Sequence, residues 1–202
     1  MPLIKPSDIT PPRQKDEAET SGPFATVMTS DQIAAAFAGT PLEILKKHIG
    51  DIDFSIATHY VTSGRWSMND LLIYVLLQVG PSDVLIATWS IAELAVRQIL
   101  KHHESGLIKS ISFLLDPRVK VRNPKPLQLL AANFPYLLFP KGCHAKVTLI
   151  RSADHYISIV SSANMTQNPR IERGVIFPFK DVYEFDYKWL NDSINSGSAS
   201  GN

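Results

Sequence analysis

The chain has 202 residues, enough for one domain with a substantial core. With 45% hydrophobic and 19% charged residues it reads as globular, and a net charge of +1 excludes a global electrostatic pull toward nucleic acid or membrane. One cysteine, Cys143, excludes an internal disulfide framework and fits a reducing compartment.

Residues 1–28 are polar and rich in proline and read as a flexible arm without the apolar run of a secretory signal. No stretch reaches the ~18 apolar residues of a membrane span, so a cytoplasmic protein without a membrane partner is expected. Thr29-Ser30-Asp31-Gln32 has capping-box spacing and predicts a short helix over "IAAAF". Thr40, Pro41 and Glu43 cap and open a second helix that should run to His48 or Ile49 and stop at Gly50. A strand is predicted over "DFSIATHY", then an apolar helix capped by Ser67 and ending near Val79. "DVLIATWS" reads as a buried strand and 91–103 as a helix, which Gly106 breaks before the strand "IKSISFLLD". "DPRVKVRNPK" reads as a basic loop, Pro124-Lys125-Pro126 opens a short helix through Asn133, and "YLLF" is a brief strand. Val147 to Ile150 and Tyr156 to Val160 form a hairpin about the turn Ser152-Ala153-Asp154-His155. "GVIFPF" is a further strand, a last helix runs from about Asp181 to Leu190, and 193–202 reads as a disordered tail. One domain over 29–192 follows, an α/β fold with a mixed central β-sheet and helices on both faces.

"HAKVTLIRSADHYISIVSSANMT", from His144 to Thr166, is the most informative stretch. Side chains alternate along a strand, so His144 and Lys146 point to the same side, and Ser162 and Asn164 share a face at the end of the next strand. An imidazole, an ammonium, a hydroxyl and an amide brought together suit a phosphate group. The pattern His-x-Lys followed by Ser-Ser-x-Asn resembles the signature of the phospholipase D superfamily, whose members cleave or transfer phosphodiesters through a phosphohistidine without a metal.

The resemblance implies that His144 is the nucleophile or its acid partner and that Lys146, Ser162 and Asn164 bind phosphate oxygens. Glu172, in "RIERGVIF", is the candidate acid that orients the histidine. Two positions depart from the family pattern. Arg151 stands where the family has an Asp, with Asp154 as the candidate supporting residue in its place, and Ser161 replaces a Gly. A nucleophile and a leaving-group acid must lie on opposite sides of phosphorus, so two histidines are needed. His48, His59, His102, His103 and His155 lack the motif, and the single copy implies a homodimer with one composite site. No cofactor and no metal are expected. His102-His103-Glu104, at a helix end, reads as a complement to the helix dipole.

Between Arg97 and Lys125 seven basic residues face two acidic ones. Of these, Arg118, Lys120, Arg122 and Lys125 are candidate contacts to a nucleic-acid backbone, with the alternative of a solvated loop. Arg65, beside Trp66 in a glycine loop, is a further candidate, and Trp89 at a strand end either lines the cleft or packs under the next helix. The expected function is a metal-independent phosphodiesterase, a nuclease whose partner is nucleic acid, DNA in the first instance. The alternatives are a non-catalytic binding or assembly module that keeps the fold, and a phospholipid-directed phosphodiesterase.

Overall fold

The computed structural model describes residues 41–167 and 169–198. The expected arm over 1–28, the helix expected after Thr29 and the cap at Thr40 lie outside them. In chain order the elements are α1 (Pro41–His48), β1 (Thr58–Ser63), α2 (Met68–Val79), β2 (Ser82–Thr88), α3 (Glu93–Glu104), β3 (Ile108–Leu115) and α4 (Val119–Arg122). They continue with α5 (Pro124–Asn133), β4 (Tyr136–Leu138), β5 (Val147–Arg151), β6 (Tyr156–Ser161), β7 (Ile171–Phe177) and α6 (Lys180–Ser198).

Local chemistry sets most of these limits. Ser67 caps α2 through a full capping box, its hydroxyl accepting the Asp70 amide while the Asp70 carboxylate accepts the Ser67 amide at 2.8 Å. Four elements differ from expectation. β1 starts at Thr58 because Asp53 captures the amide and hydroxyl of Ser55, which holds that stretch in a turn. The basic segment expected as a loop folds into the helical turn α4, with Val119 fully buried. β7 begins at Ile171 and passes through Gly174, where a Cβ would fall 2.2 Å from the Tyr60 hydroxyl, so that glycine admits a close aromatic neighbour and does not mark a strand start. α6 continues beyond Leu190 to Ser198, so the backbone expected to be disordered from 193 is helical that far.

The sheet is mixed, in the order β1-β7-β6-β5-β2-β3-β4. β2, β3 and β4 run parallel, and every other pairing is antiparallel. One face packs Ile86, Phe113, Ile150, Ile159 and Ile176 against α2, α3 and α5, through Leu72, Leu76, Val96, Ile99 and Leu130. The opposite face packs Ala87, Leu114, Val147 and Leu149 against Tyr183 and Leu190 of α6. Helices therefore cover both faces, and the central strands are apolar at successive positions because both sides are buried. Register then brings the ends of five strands to one edge. Ala87 lies opposite Val147, Val147 opposite Val160, Ser161 opposite Gly174, and Thr62 opposite Glu172.

Candidate active site

The segment carrying His144 and Lys146 leads into β5 and is not itself strand, contrary to the expectation from its pattern. β2 ends at Thr88, so beyond the Ala87–Val147 pair nothing continues the ladder on that side. The Ser161 amide still donates to the Lys146 carbonyl at 3.0 Å, which keeps the chain extended. The two side chains remain on one side, with Lys146 Nζ 2.9 Å from His144 Nδ1 and 3.3 Å from Nε2. Lys146 is buried, 7% exposed, and its ammonium also donates to the His144 carbonyl at 2.5 Å. Burial lowers its pKa, while the neighbouring charges of Cys143 and Glu172 act in the opposite direction.

Ser162 and Glu172 meet directly, since the Ser162 hydroxyl donates to the Glu172 carboxylate. The same hydroxyl oxygen accepts the Arg173 amide at 3.0 Å, and the Ser162 amide donates to the Arg173 carbonyl at 2.9 Å. Glu172 is thus fixed beside Ser162, close enough for its charge to act on Lys146. Asn164 is held from the other side. Thr88 Oγ1 lies 3.4 Å from its Oδ1, and Met165, the next residue, bridges to Ile91 and accepts the Ala92 amide at 2.9 Å.

Asp116, just past β3, is a buried residue that sequence reasoning did not assign to the site. Its carboxylate accepts the Arg118 amide at 2.9 Å, Arg118 Nε at 2.7 Å, Arg118 Nη2 at 2.8 Å and the Cys143 amide at 2.8 Å. These donors, the Arg118 side chain first, hold its carboxyl below the usual carboxylate range against the opposing effect of burial. Gly142 is at φ +79°, and a Cβ there would sit 3.0 Å from Asp116 Oδ2, so the turn leading to His144 closes over this carboxylate only with glycine. The available signal was an Asp directly after a predicted strand, at the edge where α/β sheets place their sites. Cys143 is half-buried and burial raises its pKa, as suits a packing residue.

Asp154 does not join this group. It lies in the turn at the far end of the β5–β6 hairpin, where the Ser152 hydroxyl accepts the amides of Asp154 at 3.3 Å and His155 at 3.0 Å. Arg151, near the same end, pairs with Asp83 at 3.0 Å. The cause is length: Arg151 is the last residue of β5, a strand's length from Val147.

Trp89 lines the site. Its ring centroid is 5.4 Å from that of His144, and the Arg122 and Arg118 guanidinium carbons lie 4.1 Å and 5.5 Å from the Trp89 centroid. Lys120 and Lys125 are exposed on α4 and α5. Arg65 is elsewhere, its guanidinium 2.9 Å from His48 Nε2 beside a buried Trp66. His103 Nδ1 is 2.8 Å from the Ile108 carbonyl, a contact within the fold. Among the described residues no group of three or more His, Cys, Asp or Glu side chains could hold a metal ion, and no helix is long and apolar enough to cross a membrane.

No family model matches this chain, and no curated protein matches it by sequence. Solved structures do match its fold. NucT from Helicobacter pylori aligns with a TM-score of 0.52 and 17% identity, over 70% of this chain and 98% of that one. Polyphosphate kinase from Porphyromonas gingivalis aligns with a TM-score of 0.50 and 12% identity, over 82% of this chain and 29% of that one. The mixed seven-stranded α/β sheet is thus a fold that this chain shares with these structures.

Proposed function

We propose that this chain is a metal-independent phosphodiesterase of phospholipase D type that cuts nucleic acid, DNA in the first instance, as a homodimer sharing one composite site. The observation that carries this reading is the contact between the Lys146 ammonium and the His144 ring. It lies at the sheet edge that also holds Ser162, Asn164 and Glu172.

In the first step a ring nitrogen of His144 forms a bond to phosphorus while the bond to the leaving oxygen breaks. That oxygen takes a proton from the His144 of a second copy. Water then attacks phosphorus and gives its proton to that second imidazole as the phosphorus–nitrogen bond breaks, which returns both rings to their starting states. Lys146 and the Asn164 amide offset the charge on the non-bridging oxygens, in a partly buried setting where such donors count for more than in water. Ser162 anchors Glu172, and Glu172 sustains the positive charge of Lys146.

Labelled DNA degraded in excess chelator by wild type, and left intact by His144→Ala, supports the reading. A requirement for added metal would overturn the mechanism, and full activity from a strictly monomeric protein would overturn the shared site. A non-catalytic binding module is the second reading, favoured by the pairing of Arg151 with Asp83 where the family pattern has an acid. It requires DNA binding that survives His144→Ala and a wild type inert toward bis-p-nitrophenyl phosphate.

A further inference from the structure

We infer that Arg122, seated on the Trp89 indole, anchors the phosphate next to the one reacting at His144, so that this site takes a chain of consecutive phosphodiesters in preference to an isolated diester. The inference rests on the proposed function and specifies its substrate. Trp89 touches both groups, with His144 at 5.4 Å and Arg122 at 4.1 Å from its ring centroid. One side chain thus sets the spacing between the nucleophile and the guanidinium.

Of the two arginines beside this ring, only one is committed elsewhere. Arg118 gives Nε and Nη2 to Asp116, whereas no carboxylate pairs with Arg122 among the described residues. A guanidinium held over an aromatic face keeps its in-plane N–H donors for a bidentate anion contact. Both ends of α4 are tied down. Asp116 accepts the Arg118 amide at 2.9 Å at its start, and at its end Asn123 Oδ1 accepts the Ser90 hydroxyl at 2.8 Å. Ser90 directly follows Trp89, and Val119 is fully buried beneath the turn. The donor is therefore positioned in advance, and binding an anion there orders little that was free. A cation–π contact serving only to pack α4 explains the same geometry, and the two accounts differ in what the substrate feels.

The test compares Arg122→Gln with its parent on two substrates and in a binding titration. On a single-stranded oligonucleotide the variant should lose about tenfold in kcat/KM, mainly through KM, as expected for a charged hydrogen-bonded contact. On bis-p-nitrophenyl phosphate, which has one phosphorus, the loss should be several-fold smaller. In the His144→Ala background, oligonucleotide affinity should fall, and the slope of log affinity against log salt should shrink by about 0.7, one single-strand phosphate contact. Arg122→Lys should keep the slope and lose part of the affinity. Equal losses on both substrates, or an unchanged salt slope, would overturn the inference while leaving the phosphodiesterase reading intact. A wild type that cleaves neither substrate overturns that reading, and this one with it.

Discussion

The β5–β6 hairpin has two polar ends, and only one of them gathers chemistry. At the end where β5 begins and β6 finishes, the largely buried Lys146 ammonium contacts His144, and Ser162 holds Glu172 where its charge acts on that ammonium. At the other end, Ser152, Asp154 and His155 satisfy one another in an ordinary turn, with His155 stacked on Phe54 at 4.0 Å. Residue types are similar at both ends. The difference is what surrounds them: the first meets the ends of β2, β3 and β7 and is partly desolvated, while the second faces water, where charges and donors are worth little.

The sharpest way to break this contrast is substitution at each end. His144→Ala should lower turnover on DNA by at least ~10³-fold, whereas Asp154→Ala should leave it within twofold. A comparable loss from both would mean that the turn end takes part after all. Lys146 gives the next largest effect, with Lys146→Met costing on the order of 10²–10³ in rate. Because burial lowers its pKa, the ammonium and with it activity should be lost, as pH rises, earlier than for an ordinary lysine. A pH profile of kcat/KM checks this, and an alkaline limb that Lys146→Arg fails to move upward would remove Lys146 from the anion site.

Asp116 sharpens the comparison on the side of stability. Asp116→Asn should cost about 1.5–3 kcal/mol in chemical denaturation, since charged acceptors of several donors are lost. Its pKa is lower in the folded than in the unfolded chain, so its contribution is complete above the unfolded carboxylate value and is lost as pH falls through the native one. The variant should therefore lose less stability than wild type on acidification, and parallel acid-limb curves would refute this. The smallest effect belongs to the turn end. Arg151→Ala breaks an exposed pair with Asp83 and should cost no more than about 1 kcal/mol by thermal denaturation.

What was legible in the sequence divides along physical lines. Helices α2 and α5 were readable to within a residue because a Ser cap and a Pro-x-Pro start are local chemistry. The α/β class followed from alternation of element types, and the mixed sheet from the late strands that no helix interrupts. The period-2 argument put His144 and Lys146 on one side, and they do touch, although the ladder stops short of them. That limit depends on β2, about sixty residues away in sequence, and so was not readable from the segment itself. Gly174 opens the strand expected from the sequence, yet it lies inside β7, and only the distant Tyr60 explains a glycine there. Asp116 carries a local signal, its place directly after β3, but its bond to the Cys143 amide joins residues 27 positions apart and is not readable from either segment. Asp154 is the first acid after Arg151 in the sequence, yet strand length carries it to the far end of the hairpin.

β1 has one neighbour in the sheet, β7, with Thr58 opposite Ile176 and Thr62 opposite Glu172. In a polypeptide emerging from the ribosome, β1 must therefore wait for β7 before it can join the sheet. The carboxylate of Glu172 arrives with that pairing, so under the proposed function a chain cut before β7 should lack the carboxylate that sustains the charge of Lys146, however well the preceding strands have folded.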